Sequence, residues 1–170
     1  SVISCEGQTY SPFLKIANSD AFNLNWLILS DAERDTKKKL KNTIENSGYE
    51  FNDVEDKISY LPDGKDFEGY YIDFYGIGKI KEVISYNYGL KAFDIFKNEL
   101  SKQLPLKDEK YKDKTSISDF SEKELINIFI DRKGKPKFAE QLALYVIENE
   151  LPIPDIIRNL IEKVVREVEK

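Results

Sequence analysis

The sequence predicts an α/β fold, in which a parallel sheet is flanked by helices and continues into a helical C-terminal extension. Short apolar segments that stop at polar turns occur within the first 61 residues. Segments with helical spacing of apolar residues separate them and also fill the chain after residue 120. Strand patterns early and helical patterns late are typical of an α/β core that continues into helices.

Three segments are predicted as strands. Residues 1–5 are rich in apolar side chains and are followed by Gly7, and residues 57–61 are closed by a Pro-Asp-Gly turn. Residues 24–29 are almost all apolar and stop at Ser30-Asp31. A continuous apolar run that ends at a polar turn is typical of a strand buried on both faces, and we expect such burial of residues 24–29.

Helices are predicted between and after these strands. The second of them, over residues 34–47, turns Leu40 and Ile44 inward, and Gly48 is expected to end it in a left-handed conformation. Ser121 and Glu124 form a capping box that opens a later helix. The predicted helices span residues 12–22, 34–47, a stretch from residue 66 broken at Gly76, Gly78 and Gly89, residues 121–130, a helix after Pro136 with Phe138, Leu142, Val146 and Ile147 at helical spacing, and residues 156–168.

The chain is predicted to form one domain in three parts. Residues 1–104 form the α/β core, residues 105–120 an exposed polar loop, and residues 121–170 a helical C-terminal part of the same domain. The loop assignment rests on a charged stretch that lacks any periodicity. The 170 residues suit one compact domain with a sizeable core.

Composition narrows the chemistry. The chain has no histidine and a single cysteine, Cys5, which excludes Ser-His and Cys-His hydrolases and zinc sites built on those ligands. A metal would be held by Asp and Glu oxygens, the ligands of Mg²⁺, Mn²⁺ and Ca²⁺.

No apolar run reaches the roughly 18 residues of a membrane span, and no secretory leader is recognisable, so we expect no membrane partner and a cytoplasmic location. The net charge of −5 argues against a protein that coats nucleic acid by itself.

Three local features could support catalysis. Asp31 and Glu33 follow the second predicted strand, where ligands bind in open parallel sheets; the alternative, which spacing alone favours, is that Asp31 caps the next helix. Glu68 opens the helical stretch after the third strand, where a first-turn acid is the simpler explanation. Lys133 and Lys135 flank a glycine before a helix and suit a phosphate or, equally, a solvated basic turn. A row of aromatic residues could stack on bases, although such a row is more typical of core packing. The row consists of Tyr70, Tyr71, Phe74 and Tyr75.

The order of these features resembles the C-terminal Toprim domain of overcoming-lysogenization-defect (OLD) family nucleases. The resemblance covers essentially the whole chain, and its order is more specific than any single piece. The matching stretches are Val2-Ile3 with Gly7, Phe13-Leu14-Lys15-Ile16-Ala17, Trp26-Leu27-Ile28-Leu29-Ser30-Asp31, Asp66-Phe67-Glu68, Lys133-Gly134-Lys135 with Phe138-Ala139, and Glu150-Leu151-Pro152-Ile153-Pro154.

The resemblance implies a site and a reaction. Asp31 and Glu33 match the Toprim Asp-x-Asp pair, with Glu in place of the second Asp, and Glu68 matches a further metal-site glutamate with a catalytic part. Lys135, or as second choice Lys133, matches the active-site lysine. These residues would hold Mg²⁺ (or Mn²⁺ or Ca²⁺) and hydrolyse phosphodiester bonds of nucleic acid, with DNA the expected substrate.

The resemblance also implies partners. Family members carry an ABC-type ATPase domain, in the same or a partner polypeptide, and ATP is expected to bind only there. A homo-oligomer is expected as well. The family's first Toprim strand and its glutamate are expected to precede Val2, so this chain alone should cleave plasmid DNA weakly.

Two other functions fit parts of the sequence. A signalling receiver domain is also an acidic α/β fold that binds Mg²⁺ and has a Lys-Pro pair, here Lys135-Pro136. However, a receiver needs adjacent acids near its start, and the helical tail is too long for one. A catalytically silent Toprim scaffold is favoured if the first-motif glutamate is absent.

Overall fold

The computed structural model describes residues 9–62 and 64–168 and is a mostly helical α/β fold with a small parallel sheet. The chain forms two compact units, one from residues 9–67 and 153–168 and the other from residues 68–152. In chain order the elements are α1 (Ser11–Ala17), β1 (Ile28–Ser30), α2 (Arg34–Glu45), α3 (Phe51–Val54), a 3₁₀ helix (Glu55–Lys57), β2 (Ile58–Tyr60), α4 (Phe67–Tyr88), α5 (Ala92–Ser101), a 3₁₀ helix (Ile117–Asp119), α6 (Glu122–Lys133), α7 (Lys135–Glu148) and α8 (Asp155–Val168).

The sheet of the first unit pairs β1 with β2 in parallel, with Ser30 beside Tyr60. Strand β2 lies inside its predicted run of residues 57–61, whereas β1 overlaps the predicted run of residues 24–29 and extends one residue beyond it. The strand predicted over residues 1–5 lies outside the described residues. The expected burial of residues 24–29 on both faces is wrong. Leu24 is 53% exposed and Leu29 only half-buried, because Leu24 leads out of the α1 turn and its N–H bonds to the Ala17 carbonyl.

Helix α1 ends earlier than predicted because Asn18 fixes a turn. The Asn18 amide donates to the backbone oxygen of Ser47 at 3.1 Å, and its side-chain oxygen accepts from the N–H of Asp20 at 3.1 Å. Side-chain bonds of this kind replace the next helical hydrogen bonds. The segment after α1 is thereby attached to the end of α2.

The core of the first unit is built around α2. Leu40 and Ile44 are fully buried, as predicted, and Gly48 follows the helix with φ 90°, which confirms the left-handed ending. The buried residues that share this core are Leu14, Ile28, Leu40, Ile44, Val54 and Ile58.

Helix α4 is interrupted once. Gly76 has φ 82° and ψ 153°, which confirms one predicted break, and Gly89 follows the helix with φ 97°. The break predicted at Gly78 is wrong, because the helix has already resumed there. Among the described residues, no helix combines the length and apolar character that crossing a membrane requires.

The core of the second unit surrounds Phe129 of α6. Its ring packs edge-on against those of Tyr88, Phe93 and Phe96, with centroids 5.3–6.0 Å apart. The capping box of Ser121 and Glu124 opens α6, as predicted.

One predicted exposure in the second unit is wrong. Tyr111, within the segment predicted as an exposed loop, is 5% exposed and packs on Phe120. On α7, Val146 is buried, whereas Ile147 is 71% exposed because adjacent helical residues point about 100° apart. The predicted division of the chain at residues 104 and 120 stays a prediction.

Candidate functional site

The segments that follow β1 and β2 run side by side. The N–H of Leu61 donates to the Ser30 carbonyl at 3.0 Å, and the N–H of Ala32 donates to the Lys65 carbonyl at 3.4 Å. Because the strands are parallel, their carboxyl ends share one edge of the sheet. The structure therefore places Asp31 and Glu33 where ligands bind in parallel sheets.

The N-cap position of α2 is occupied by Glu33 and not by Asp31. Glu33 makes no capping side-chain hydrogen bond. Asp31, which the alternative prediction placed at the N-cap, lies two residues before that position. Asp31 is half-buried with one carboxylate oxygen buried, and Glu33 is exposed. Side-chain capping by Glu33 thus does not explain why an acid stands at this position.

Ser30 adds a buried hydroxyl at the same end of β1. The residue is 1% exposed, and its Oγ has no hydrogen-bond partner among the described residues. Leaving a buried hydroxyl unsatisfied costs on the order of 1–3 kcal/mol. A polar ligand at the strand end would remove that cost.

Glu68 and Lys135 are brought together in the second unit. Glu68 lies in the first turn of α4, and Lys135 is the first residue of α7. The Lys135 Nζ lies 3.2 Å from Oε2 of Glu68 and 3.5 Å from Oδ1 of Asp131. The Glu68 side chain is 16% exposed and that of Lys135 is 50% exposed. One face of the ammonium group is thus fixed by carboxylates while solvent reaches the side chain.

Gly134 makes this arrangement possible. Its φ of 92° separates α6 from α7, a conformation that favours glycine. Asp131 at the end of α6 and Lys135 at the start of α7 therefore become neighbours. Asp131 has no role in the sequence interpretation, and its spacing of four residues from Lys135 was the signal that could have indicated the contact.

Lys133 lies elsewhere. Its ammonium sits over the ring of Tyr88 at 5.2 Å and over that of Phe129 at 5.6 Å from the centroids. Among the contacts of the described residues, Lys135 and not Lys133 reaches a carboxylate of the predicted site. The structure thus separates the two lysines that the sequence proposed for one role.

The aromatic row of α4 contains two stacked pairs of rings. Tyr71 and Tyr75 stack at 6.4 Å and pack against the core, as predicted. Tyr70 and Phe74 stack at the same distance, and Phe74 is 40% exposed. Burial, and then the nearby Tyr70 and Glu68, raise the pKa of Tyr71. Tyr71 therefore stays a neutral phenol at physiological pH.

The residues fit a hard cation by donor chemistry. Asp31 and Glu33 supply oxygen ligands after the strand end, and Ser30, the last residue of β1, carries a buried hydroxyl without a hydrogen-bond partner among the described residues. Within residues 9–62 and 64–168, however, no group of three or more Asp, Glu, Cys or His side chains is placed to hold a metal. The Glu68 carboxylate is engaged by Lys135, and its part as a metal ligand stays a prediction.

Comparison of the chain with family models, curated proteins and solved structures finds no match. The placement of these residues is therefore the basis for a functional assignment.

Proposed function

We propose that this chain is a Toprim-type domain of a metal-dependent nuclease that hydrolyses phosphodiester bonds of nucleic acid, with DNA as the substrate. The ion pair between Glu68 and Lys135 is the observation that supports the proposal best. The family resemblance assigns both residues to one active site, and they contact each other although 67 positions separate them.

In this proposal Asp31 and Glu33 hold Mg²⁺, or Mn²⁺ or Ca²⁺ in its place, and the role of Glu68 as a further metal ligand is the one that the family resemblance assigns. A bound divalent cation supplies a Lewis acid that stabilises charge on phosphate oxygens. Glu33 stands where the family has Asp, so its carboxylate reaches one bond farther from the backbone.

Lys135 acts on the phosphate. Its ammonium group lies at the N-terminal end of α7, where backbone N–H groups also favour an anion. Glu68 and Asp131 orient the group, and half of the side chain is exposed to an incoming substrate. A cation preorganised in this way stabilises the charge that develops in the transition state.

The proposal includes the partners implied by the resemblance. An ABC-type ATPase domain, in the same or a partner polypeptide, binds ATP, and the nuclease works as a homo-oligomer. Nothing in the proposed chemistry of this chain requires ATP to bind to its own residues.

The test combines metal binding with cleavage. Asp31→Asn should abolish Mn²⁺ binding measured by calorimetry, and the intact polypeptide with this change should no longer cleave plasmid DNA in Mn²⁺. Asp35→Asn is the matched control, because Asp35 is an exposed acid in the first turn of α2. Unchanged Mn²⁺ affinity in folded Asp31→Asn would remove Asp31 from the site. Metal binding without cleavage by the intact wild-type protein would identify a silent scaffold instead.

A further inference from the structure

We propose that one side of α2 is a contact surface for the backbone of nucleic acid. Arg34, Lys37, Lys38 and Lys41, here called the basic stripe, lie within a 100° arc of the helix at the usual 100° per residue. This inference rests on the proposed function and adds to it the surface that holds the substrate. The chain as a whole carries a net charge of −5, so a local excess of positive charge is a departure from its surroundings.

The stripe starts at the candidate metal site. Arg34 directly follows Glu33, and the ammonium group of Lys37 lies 5.1 Å from the ring centroid of Tyr60, the last residue of β2. Because Tyr60 pairs with Ser30 at the carboxyl edge of the sheet, Lys37 lies at the same edge as the Asp31 segment. A strand held along α2 would therefore pass the carboxylates.

Two of the cations are available to a ligand. Arg34 and Lys38 are exposed, and neither has an ion-pair partner among the described residues. Lys41 is fixed from both sides, by Glu45 at 3.8 Å and by the ring of Phe51 at 5.1 Å. From Arg34 to Lys41 the helix advances about 10 Å, which is roughly the length of three base pairs.

The composition of this side of α2 favours nucleic acid over a lipid surface. The apolar residues of the helix, Leu40 and Ile44, are fully buried, and no exposed position between Arg34 and Glu45 is apolar. A helix that lies in a membrane interface places apolar side chains into the lipid. Phosphate contacts need only the charges.

The experiment measures the salt dependence of DNA binding in EDTA, with the intact protein and a labelled duplex oligonucleotide. The triple variant Arg34→Gln/Lys38→Gln/Lys41→Gln should lower the slope of log K against log salt by about 2 to 3, since each phosphate contact contributes about 0.9. The control Lys107→Gln/Lys110→Gln/Lys112→Gln removes three lysines from the second unit and should leave the slope unchanged. If the first triple variant does not fold, Lys38→Gln alone should lower the slope by about 0.9.

The outcomes separate this surface from the nuclease function. Three results would reject the proposed role of the basic stripe in DNA binding. These are an unchanged slope in folded variants, an equal fall of the slope in both triple variants, and no DNA binding by the wild-type protein in EDTA. Variants that lose binding to phosphatidylserine vesicles but keep the slope for DNA would also reject this role. Cleavage in Mn²⁺ tests the nuclease separately: a lowered slope in a protein that never cleaves would retain the stripe and reject the proposed reaction.

Discussion

The Lys135 ammonium nitrogen lies 3.2 Å from a carboxylate oxygen of Glu68, across 67 residues of sequence. The contact joins the first turn of α4 to the first residue of α7. A lysine held in this way loses little further freedom when it meets a phosphate, which is the condition for an effective electrostatic contact in a transition state.

Lys135→Ala should therefore lower turnover more than binding. Loss of one preorganised contact costs about 2.7–4 kcal/mol in well-studied sites, or roughly a 100- to 1000-fold fall in rate. Affinity for Mn²⁺ and for DNA should change little, because the contact develops mainly in the transition state. Single-turnover cleavage at saturating DNA, together with both affinities, measures the split.

Lys133→Ala is the internal control for this prediction. Its ammonium group lies over Tyr88 and Phe129, so its removal should cost stability of about 0.5–1 kcal/mol and affect turnover less. If both variants lose DNA affinity equally while turnover at saturating DNA stays normal, the turn only binds phosphate and the metal alone is responsible for catalysis.

Glu124 makes stability depend on pH. Its hydrogen bond from Lys114 and those from the Ser121 N–H and hydroxyl lower its pKa from 4.5 to about 2, against the opposing effect of burial. Because the folded state binds this proton less tightly than the unfolded chain, the stabilisation is complete above pH 4.5 and is lost as the pH falls toward 2. Glu124→Gln should lower the free energy of unfolding by about 1 kcal/mol at pH 7.

The difference between Glu124→Gln and the wild-type protein should vanish near pH 2, as followed by urea unfolding across the pH range. Glu140→Gln on α7 is the control, since Glu140 is exposed and has no ion pair among the described residues. A difference that stays constant from pH 7 to pH 2 would show that the carboxylate charge is not what stabilises the start of α6.

Gly48→Ala should destabilise the first unit by about 1–3 kcal/mol, the usual cost of a strained backbone. Gly48 has φ 90°, and a Cβ atom there would lie 2.8 Å from the Asn18 side-chain nitrogen. Gly78→Ala is the control with the opposite expected sign, because a Cβ atom at Gly78 meets nothing within 4 Å. This substitution should stabilise the protein by about 0.4–1 kcal/mol. Thermal unfolding of both variants measures the sign of each stability change. Equal changes in the two variants would contradict the argument that backbone strain destabilises Gly48→Ala.

Much of the fold could be predicted from local patterns. The spacing of Leu40 and Ile44, the capping box of Ser121 and the turn glycines Gly48 and Gly76 each act within a few residues, and the structure confirms them. The burial of Tyr111 could not be predicted in this way, because it depends on packing against Phe120 and not on periodicity.

The positions of the candidate residues along the chain could be predicted, whereas the contact between Glu68 and Lys135 could not. The position of Asp31 and Glu33 after β1 follows from an apolar run and a polar turn. The ion pair between Glu68 and Lys135 depends on how α4 and α7 pack, which no local pattern encodes. The Lys133 ammonium group instead lies over the ring of Tyr88. The spacing of residues in the sequence could not distinguish Lys133 from Lys135 in this respect.

The second compact unit, residues 68–152, is one unbroken length of chain, whereas the first draws residues from both sides of it. Within the first unit, the Lys163 ammonium of α8 donates to the Asp56 carbonyl at 3.3 Å, across 107 residues. Contacts between such distant positions form slowly, because the intervening chain loses entropy when its ends meet. During synthesis the ribosome therefore releases the whole second unit before the first has all its parts, and the first is completed only once α8 has been made.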